Sequence, residues 1–290
     1  MVGFFRKIKT FINIIMNFPQ HLDMLKIINV NLIYSELRRL KESKKYADQK
    51  CLIRYGHKMY SQNEEDGMIR EIFNRIGYDN KVFVEIGVQD GLECNTTSLL
   101  FADWKGLWIE GSANHVKQLQ ERYSSVIDSG RLAIVNSFID KDNVNAIISS
   151  NIKEKEIDLL SIDIDGNDYY IFEAISCISP RVVVIEYNSK FFPPIQYCMK
   201  YQETFVWQGD DNFGASLKFL EIKFKEKGYS LVGCDVIGAN AFFVRSDVVG
   251  KFFLEPFTAE NHYESPKYHL SGFPVGHKPC HKTLENNSTF

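Results

Sequence analysis

The sequence has no long apolar run. The stretch from Phe11 to Phe18 is interrupted by Asn13 and Asn17 and closed by Pro19, far short of the roughly 20 apolar residues that cross a bilayer. The basic start, with Arg6, Lys7 and Lys9, superficially resembles an export signal, yet no small-residue cleavage site follows it. Paired cysteines are lacking too. Cys51, Cys94, Cys177, Cys198, Cys234 and Cys280 stand singly, which argues against a disulfide framework and for reduced thiols in the cytoplasm. The compact His277-Lys-Pro-Cys280-His281 has metal-binding atoms, but one such cluster reads as a polar tail rather than a zinc site. Internal repeats and low-complexity linkers are absent. So is a strong charge: the net value is −3, and no basic, aromatic module for nucleic acid is present.

What is there is an ordinary globular composition, 44% hydrophobic and 24% charged over 290 residues. That suits one large α/β domain with appendages. The charge is segregated. Residues 1–58 hold twelve Lys/Arg against four Asp/Glu, so a basic extension precedes an acidic body. Such an extension is expected to meet something anionic, a phospholipid surface or a partner protein rather than a duplex. The pattern from Phe4 to Phe18, and Leu22, Leu25, Leu32 and Leu40 after it, predicts helix over residues 1–50. It is either an amphipathic helix at the inner face of a membrane or one packed on the body or a second subunit. The expected division is 1–58 basic helical extension, 59–250 catalytic domain and 251–290 C-terminal tail.

Ser61-Gln-Asn-Glu64 reads as a capping box ahead of Met68, Ile69, Ile72, Phe73 and Ile76, with Gly77 closing that helix. Short apolar strands then alternate with helical stretches: 82–86, 107–109, 132–135, 157–162 and 181–185. Strands apolar on both faces predict a parallel sheet covered on both sides. A helix over 213–227 and strands at 229–232 and 241–244, an antiparallel pair at the sheet edge, complete a Rossmann-like, doubly wound sheet of seven strands.

In such a sheet ligands bind beyond the carboxyl ends of the strands, and polar residues collect there. The first strand leads into Glu85-Ile-Gly87-Val-Gln-Asp-Gly91, followed by Asn95-Thr96-Thr97. The glycines permit a sharp turn close to a ligand, and Thr96 can cap the next helix or bond a polar ligand. The second strand ends in Glu110, about 20 residues on, where a carboxylate accepts hydrogen bonds from ribose hydroxyls. Asn136 and Ser137 end the third strand, where a base edge would lie. The fourth ends in Asp163-Ile-Asp165-Gly-Asn-Asp168 and the fifth in Glu186-Tyr-Asn188. Two acidic clusters so placed need a cation, a donor or a substrate to balance them. They suit Mg²⁺, Ca²⁺ or Mn²⁺, or else a cofactor contact at Asp163 and a general base at Asp165.

Several segments, in order, resemble the FkbM-like methyltransferases: Tyr60-Ser-Gln-Asn-Glu-Glu-Asp-Gly67, Val84-Glu-Ile-Gly-Val-Gln-Asp-Gly91, Leu160-Ser-Ile-Asp-Ile-Asp-Gly166, Val184-Ile-Glu-Tyr-Asn188, Phe213-Gly-Ala-Ser-Leu217 and Asn240-Ala-Phe-Phe-Val-Arg245. The likeness spans roughly residues 60–250. It implies a Rossmann-like fold, S-adenosylmethionine as cofactor, and O-methylation of a sugar, a polysaccharide precursor or a related metabolite. It further implies Gln62 and Asp66 near the cofactor, the glycine loop at the cofactor's amino-acid end, and a metal set of Asp163, Glu186 and Asn188, with Glu186 where metal-dependent relatives carry Asp. The resulting expectation is Asp163 and Asp165 as catalytic residues, and Gln62, Glu85, Gly87, Gly91, Thr96, Glu110, Asn136, Ser137 and Asp163 for the cofactor. Phe191–Pro194 and Trp207 are candidates for an acceptor wall, and His115 for a base. Two competing readings stand: a metal-dependent glycosyltransferase using Asp163-Ile-Asp165, and a non-catalytic nucleotide-binding scaffold.

Overall fold

The structure, a computed structural model, describes residues 2–272, with side chains from residue 18 onward; the His277–His281 cluster lies outside the described residues. The chain divides into two units, residues 1–44 and residues 45–290. The first is a single helix, α1 (Val2–Lys41), which runs through Pro19 and carries Arg38, Arg39 and Lys41 in its last turn, the sign that suits a helix C-terminus. Phe18, Leu22, Leu25, Ile28 and Leu32 are exposed along it.

The second unit is built on seven strands, β1 (Val82–Ile86), β2 (Lys105–Glu110), β3 (Leu132–Asn136), β4 (Glu156–Ile162), β5 (Ser179–Glu186), β6 (Tyr229–Cys234) and β7 (Asn240–Arg245). They form one sheet in the order β3-β2-β1-β4-β5-β7-β6. The first five are parallel, and β7 runs antiparallel to both β5 and β6. The edge pair read from the sequence therefore exists, with β7 inserted between β5 and β6.

Alternation along β1 shows why the strands read as continuous apolar runs. Val82, Val84 and Ile86 join a core that also holds Val144, Ile148, Ile171, Leu217 and Leu220. These come from the helices α6 (Val144–Asn151), α7 (Asp168–Ala174) and α8 (Leu217–Glu226). Phe83 points the other way, into a core with Met68, Ile69, Ile72 and Leu119 from α2 (Glu65–Ile76) and α4 (Ala113–Arg122). Both faces are covered, so neither has a polar side to show. The short helices α3 (Thr97–Leu100), α5 (Ser124–Asp128) and α9 (Ala259–His262) complete the unit.

Two expectations shift. The boundary between units falls at Lys44 rather than at 58, and the described residues from 251 to 272 belong to the second unit. Leu52 joins the second core, Tyr46 donates to the Glu264 carboxylate at 2.8 Å, and Phe253, Ala259 and Leu270 are buried. Apolar residues this widely spaced carry no periodic signal. The helix expected to start at a Ser61 cap starts at Glu65 instead, without a side-chain cap at Glu64. Asp66 explains the delay: its Oδ2 accepts from the Met59, Tyr60 and Ser61 amides and from the Ser61 hydroxyl. Ser61 Oγ still accepts from the Asp66 amide at 3.2 Å, but the carboxylate organises a turn rather than closing a capping box.

Candidate active site

Strand order reverses at β1 and β4, and the crevice beyond their carboxyl ends is where ligands bind in open α/β sheets. Gly87 stands at that point with φ +86°, and a Cβ there would overlap the Asp163 carbonyl oxygen. Only glycine meets both demands. The Gly87 amide donates to the Ile109 carbonyl at 3.0 Å and the Asp163 amide to the Ile86 carbonyl at 3.0 Å, which ties the ends of β1, β2 and β4 together.

Behind the bend lies a buried chain of polar groups. Glu85 accepts from the Asn95 amide at 2.8 Å and from the Thr96 amide at 3.1 Å and hydroxyl at 2.5 Å. Trp108 Nε1 donates to the same Thr96 oxygen at 2.8 Å. Burial pushes the Glu85 carboxyl up to about 7, against the opposing pull of these three bonds. Tyr123 donates to the Gly91 carbonyl. Glu85, Gly91 and Thr96 thus shape the loop from the rear and do not line the cavity in front of it.

That cavity, about 510 Å³, is lined by Gly87, Gln89, Glu110, Ser137, Asp163 and Asp165 among others. Glu110 is anchored by the Gln89 amide on Oε2 and the Ser112 amide on Oε1, both at 2.8 Å. Each oxygen retains a lone pair for a ligand. His115 Nδ1 sits 3.4 Å from Glu110 Oε1. Asn136 braces the strand end by donating to the Glu110 and Gly111 carbonyls, while its neighbour Ser137 reaches the cavity.

A second cavity, about 700 Å³, adjoins the first, and Gln89, Asp163, Asp165 and Trp207 line both. At the junction, carboxylate oxygens of Asp163, Asp165 and Glu186 lie within 4.8 Å of one another. Burial raises all three carboxyls above their ordinary range; repulsion from Asp168 and Asp165 raises Asp163 further, and repulsion from Asp163 and Asp168 does the same to Glu186. Glu186 Oε2 is buried without a hydrogen-bond partner. Asp168 stands behind them, accepting from the Ile164 and Gly166 amides; burial holds its carboxyl up at about 6. Asp165 and Gln89 both have left-handed backbones, φ +55° and +47°. Such strain in residues other than glycine gathers at functional sites.

The other expected residues divide. Gln62 lines the second cavity rather than the first. Asn188 lines it too, but its amide donates to the Asp211 and Phe213 carbonyls, and its oxygen accepts from the Lys190 amide. Asp165 stands with Asp163 and Glu186 in the carboxylate cluster. Asp66 lies in neither wall, and Phe191–Pro194 do not line either cavity. Gln89, Asn63, Phe138 and Phe205 also line these cavities, and no motif in the sequence marks them. Gln89 lies inside the glycine loop and Asn63 between Ser61 and Glu64, where the local pattern points to turn and cap roles.

No protein-family model and no curated protein sequence matches the chain. Solved structures do. A protein of Staphylococcus aureus described as a caffeoyl-CoA O-methyltransferase is 12% identical over 75% of this chain and 99% of its own, with a TM-score of 0.46. A protein of Pyrococcus horikoshii described as an RNA methyltransferase gives 12%, 76%, 98% and 0.41. A protein of Klebsiella pneumoniae described as an O-methyltransferase gives 16%, 74%, 87% and 0.40. The Rossmann-like, seven-stranded fold of this chain rests on its own strand order.

Proposed function

We propose that the protein is an S-adenosylmethionine-dependent methyltransferase that methylates a hydroxyl oxygen of a sugar, a polysaccharide precursor or a related metabolite. One observation carries the reading: a carboxylate pair, Asp163 and Asp165, forms the wall common to two cavities. The first of these presents the glycine bend at Gly87 and the Glu110 carboxylate. The nucleoside would lie in the 510 Å³ cavity, its ribose hydroxyls donating to Glu110 and its methionine end near Gly87. The acceptor would enter the 700 Å³ cavity and meet the methyl group where they join.

Methyl transfer is a direct displacement. The acceptor oxygen forms a bond to the methyl carbon as the carbon–sulfur bond breaks, and the sulfonium charge disappears. Alignment and exclusion of water therefore supply most of the acceleration. An alcohol is a poor nucleophile, so its proton must leave as attack proceeds. Asp165 or Asp163 accepts it; a carboxyl raised by burial is a better proton acceptor than a solvated one. Glu186 orients the acceptor from the other side. The oxygen cluster also fits a divalent cation, since its donors are hard and Glu186 Oε2 lacks a partner. Such an ion would supply Lewis acidity to the acceptor oxygens.

Calorimetry with S-adenosylhomocysteine and with UDP-sugars tests the assignment. Micromolar binding of the first is expected. Binding of UDP-sugars alone would replace it with a glycosyl transfer reading.

A further inference from the structure

Asn63 is 1% exposed, yet it belongs to the wall of the 700 Å³ cavity together with Asp163, Asp165 and Glu186. Its surroundings fix which way the carboxamide turns. The amide nitrogen donates to Glu65 Oε1 at 3.0 Å and to Asp235 Oδ2 at 3.4 Å. Its backbone N–H donates to Glu65 Oε2 at 2.8 Å. Glu65 sets the orientation: it accepts from both the backbone N–H and the side-chain nitrogen of Asn63, which turns the carboxamide oxygen away from it. That oxygen, Asn63 Oδ1, has no hydrogen-bond partner.

The carboxylates themselves are fixed. Glu65 is fully buried and also accepts from Asn240 Nδ2 at 3.0 Å. Asp235, equally buried, accepts through Oδ1 from the Gly238, Ala239 and Asn240 amides. Asn240 faces Glu186 across the β5–β7 ladder, and its Oδ1 is likewise unpartnered, as is Glu186 Oε2. The two unpartnered amide atoms at this end of the site, Asn63 Oδ1 and Asn240 Oδ1, are both acceptors. The lysine of the cavity wall, Lys190, is paired with Asp211.

We propose that Asn63 is a specificity residue of the acceptor cavity. Glu65 and Asp235 hold it so that its carboxamide oxygen takes a hydrogen bond from an O–H or N–H of the acceptor, which carries no negative charge at that end. The assignment rests on the methyltransferase reading for the word acceptor, but the bond itself is testable without it. A buried acceptor left empty is costly, so a ligand that fills it is discriminated from one that cannot.

The probe is glucosamine, whose ring offers hydroxyl and ammonium donors, titrated by ligand-observed NMR into the full chain with and without S-adenosylhomocysteine. Wild type is expected to bind glucosamine at least tenfold more tightly than glucuronate. Asn63→Leu, of similar shape, should weaken glucosamine at least tenfold while S-adenosylhomocysteine affinity stays within twofold. Glu65→Gln touches no ligand. Its new amide would donate to Asn63 Oδ1 and turn the carboxamide over, which refuses the donor-only ammonium while still accommodating a hydroxyl, so it should weaken glucosamine at least threefold. A purely structural role would lower the melting temperature of both variants and leave their glucosamine affinity unchanged; that result overturns the proposal. So does failure of wild type to bind glucosamine, or glucuronate binding as tightly. Loss of S-adenosylhomocysteine binding with glucosamine retained would instead count against the cofactor assignment alone.

Discussion

Among single residues, the backbone decides as much as the side chains do. Gly87 is required twice over, by a left-handed φ of +86° and by the Asp163 carbonyl that a Cβ would strike. Gly87→Ala should therefore reduce S-adenosylhomocysteine affinity at least a hundredfold, read by calorimetry; retention of affinity would mean that the bend is not at the ligand. Asp165 tests the chemistry. Asp165→Asn should leave cofactor affinity within a few-fold and lower turnover at least a hundredfold, the range a general base contributes. Burial raises the Asp165 carboxyl above its ordinary 3.8, and a base works only when deprotonated. Wild-type activity should consequently rise with pH along a limb centred above 3.8, and an Asp165→Asn enzyme should lack that limb. The residue-level motifs were legible because each pairs a chain constraint with a strand end: a glycine where the turn must be tight, an acid where a ribose would lie. Asn63 and Gln89 were not legible. Their roles depend in one case on carboxylates at Glu65 and, 172 residues away, at Asp235, and in the other on a strained φ; neither leaves a mark in local pattern.

Elements are held in register by a few buried ionic contacts. Asp158 on β4 is fully buried and accepts from the Asp79, Asn80 and Lys81 amides and from the Arg181 guanidinium of β5 at 2.7 Å. Arg181 in turn donates to the Ile76 and Gly77 carbonyls at the end of α2. One ion pair thus seats the α2–β1 turn on the sheet. Asp158→Ala strands a buried guanidinium, and breaking such a pair costs about 3–5 kcal/mol; denaturant unfolding should show a loss of that size, and a loss under about 1 kcal/mol would contradict the account. Glu85 gives a pH signature. Its carboxyl rises from 4.5 to about 7 on folding, chiefly through burial, so the folded protein holds this proton more tightly than the unfolded chain does. Its contribution therefore erodes stability as pH rises from about 4.5 towards about 7 and is constant above. Glu85→Gln should flatten that segment of the stability profile, measured by chemical denaturation across the window. All seven strands could be located in the sequence because each is a compact apolar run bounded by turn residues. The helix start at Glu65 could not, since Asp66 overrides the capping pattern through contacts with a turn that folds back on it.

For the whole molecule, the sheet order is the informative quantity. Seven strands with an antiparallel β7 between β5 and β6, and a crevice at the β1–β4 reversal, bring Glu110, Gly87, Asp163 and Glu186 from four separate strand ends to one place. The sequence could predict that these ends carry chemistry. It could not show that the carboxylates form a partition between two cavities, because that follows from loop paths. The basic extension poses a separate question. No described helix is long and apolar enough to cross a membrane, while Phe18, Leu22, Leu25, Ile28 and Leu32 are exposed along α1. If the extension meets an anionic surface, the full chain should float with phosphatidylserine-containing liposomes and a version lacking residues 1–44 should not. Equal flotation of the two would reject that role.

The central claim is that Glu110 and the Gly87 bend hold a sulfonium nucleoside, and calorimetry on wild type beside Glu110→Ala tests it most directly. The account predicts micromolar S-adenosylhomocysteine binding to wild type and at least a fiftyfold loss in the variant. No heat with properly folded wild type, or undiminished affinity in Glu110→Ala, would contradict it.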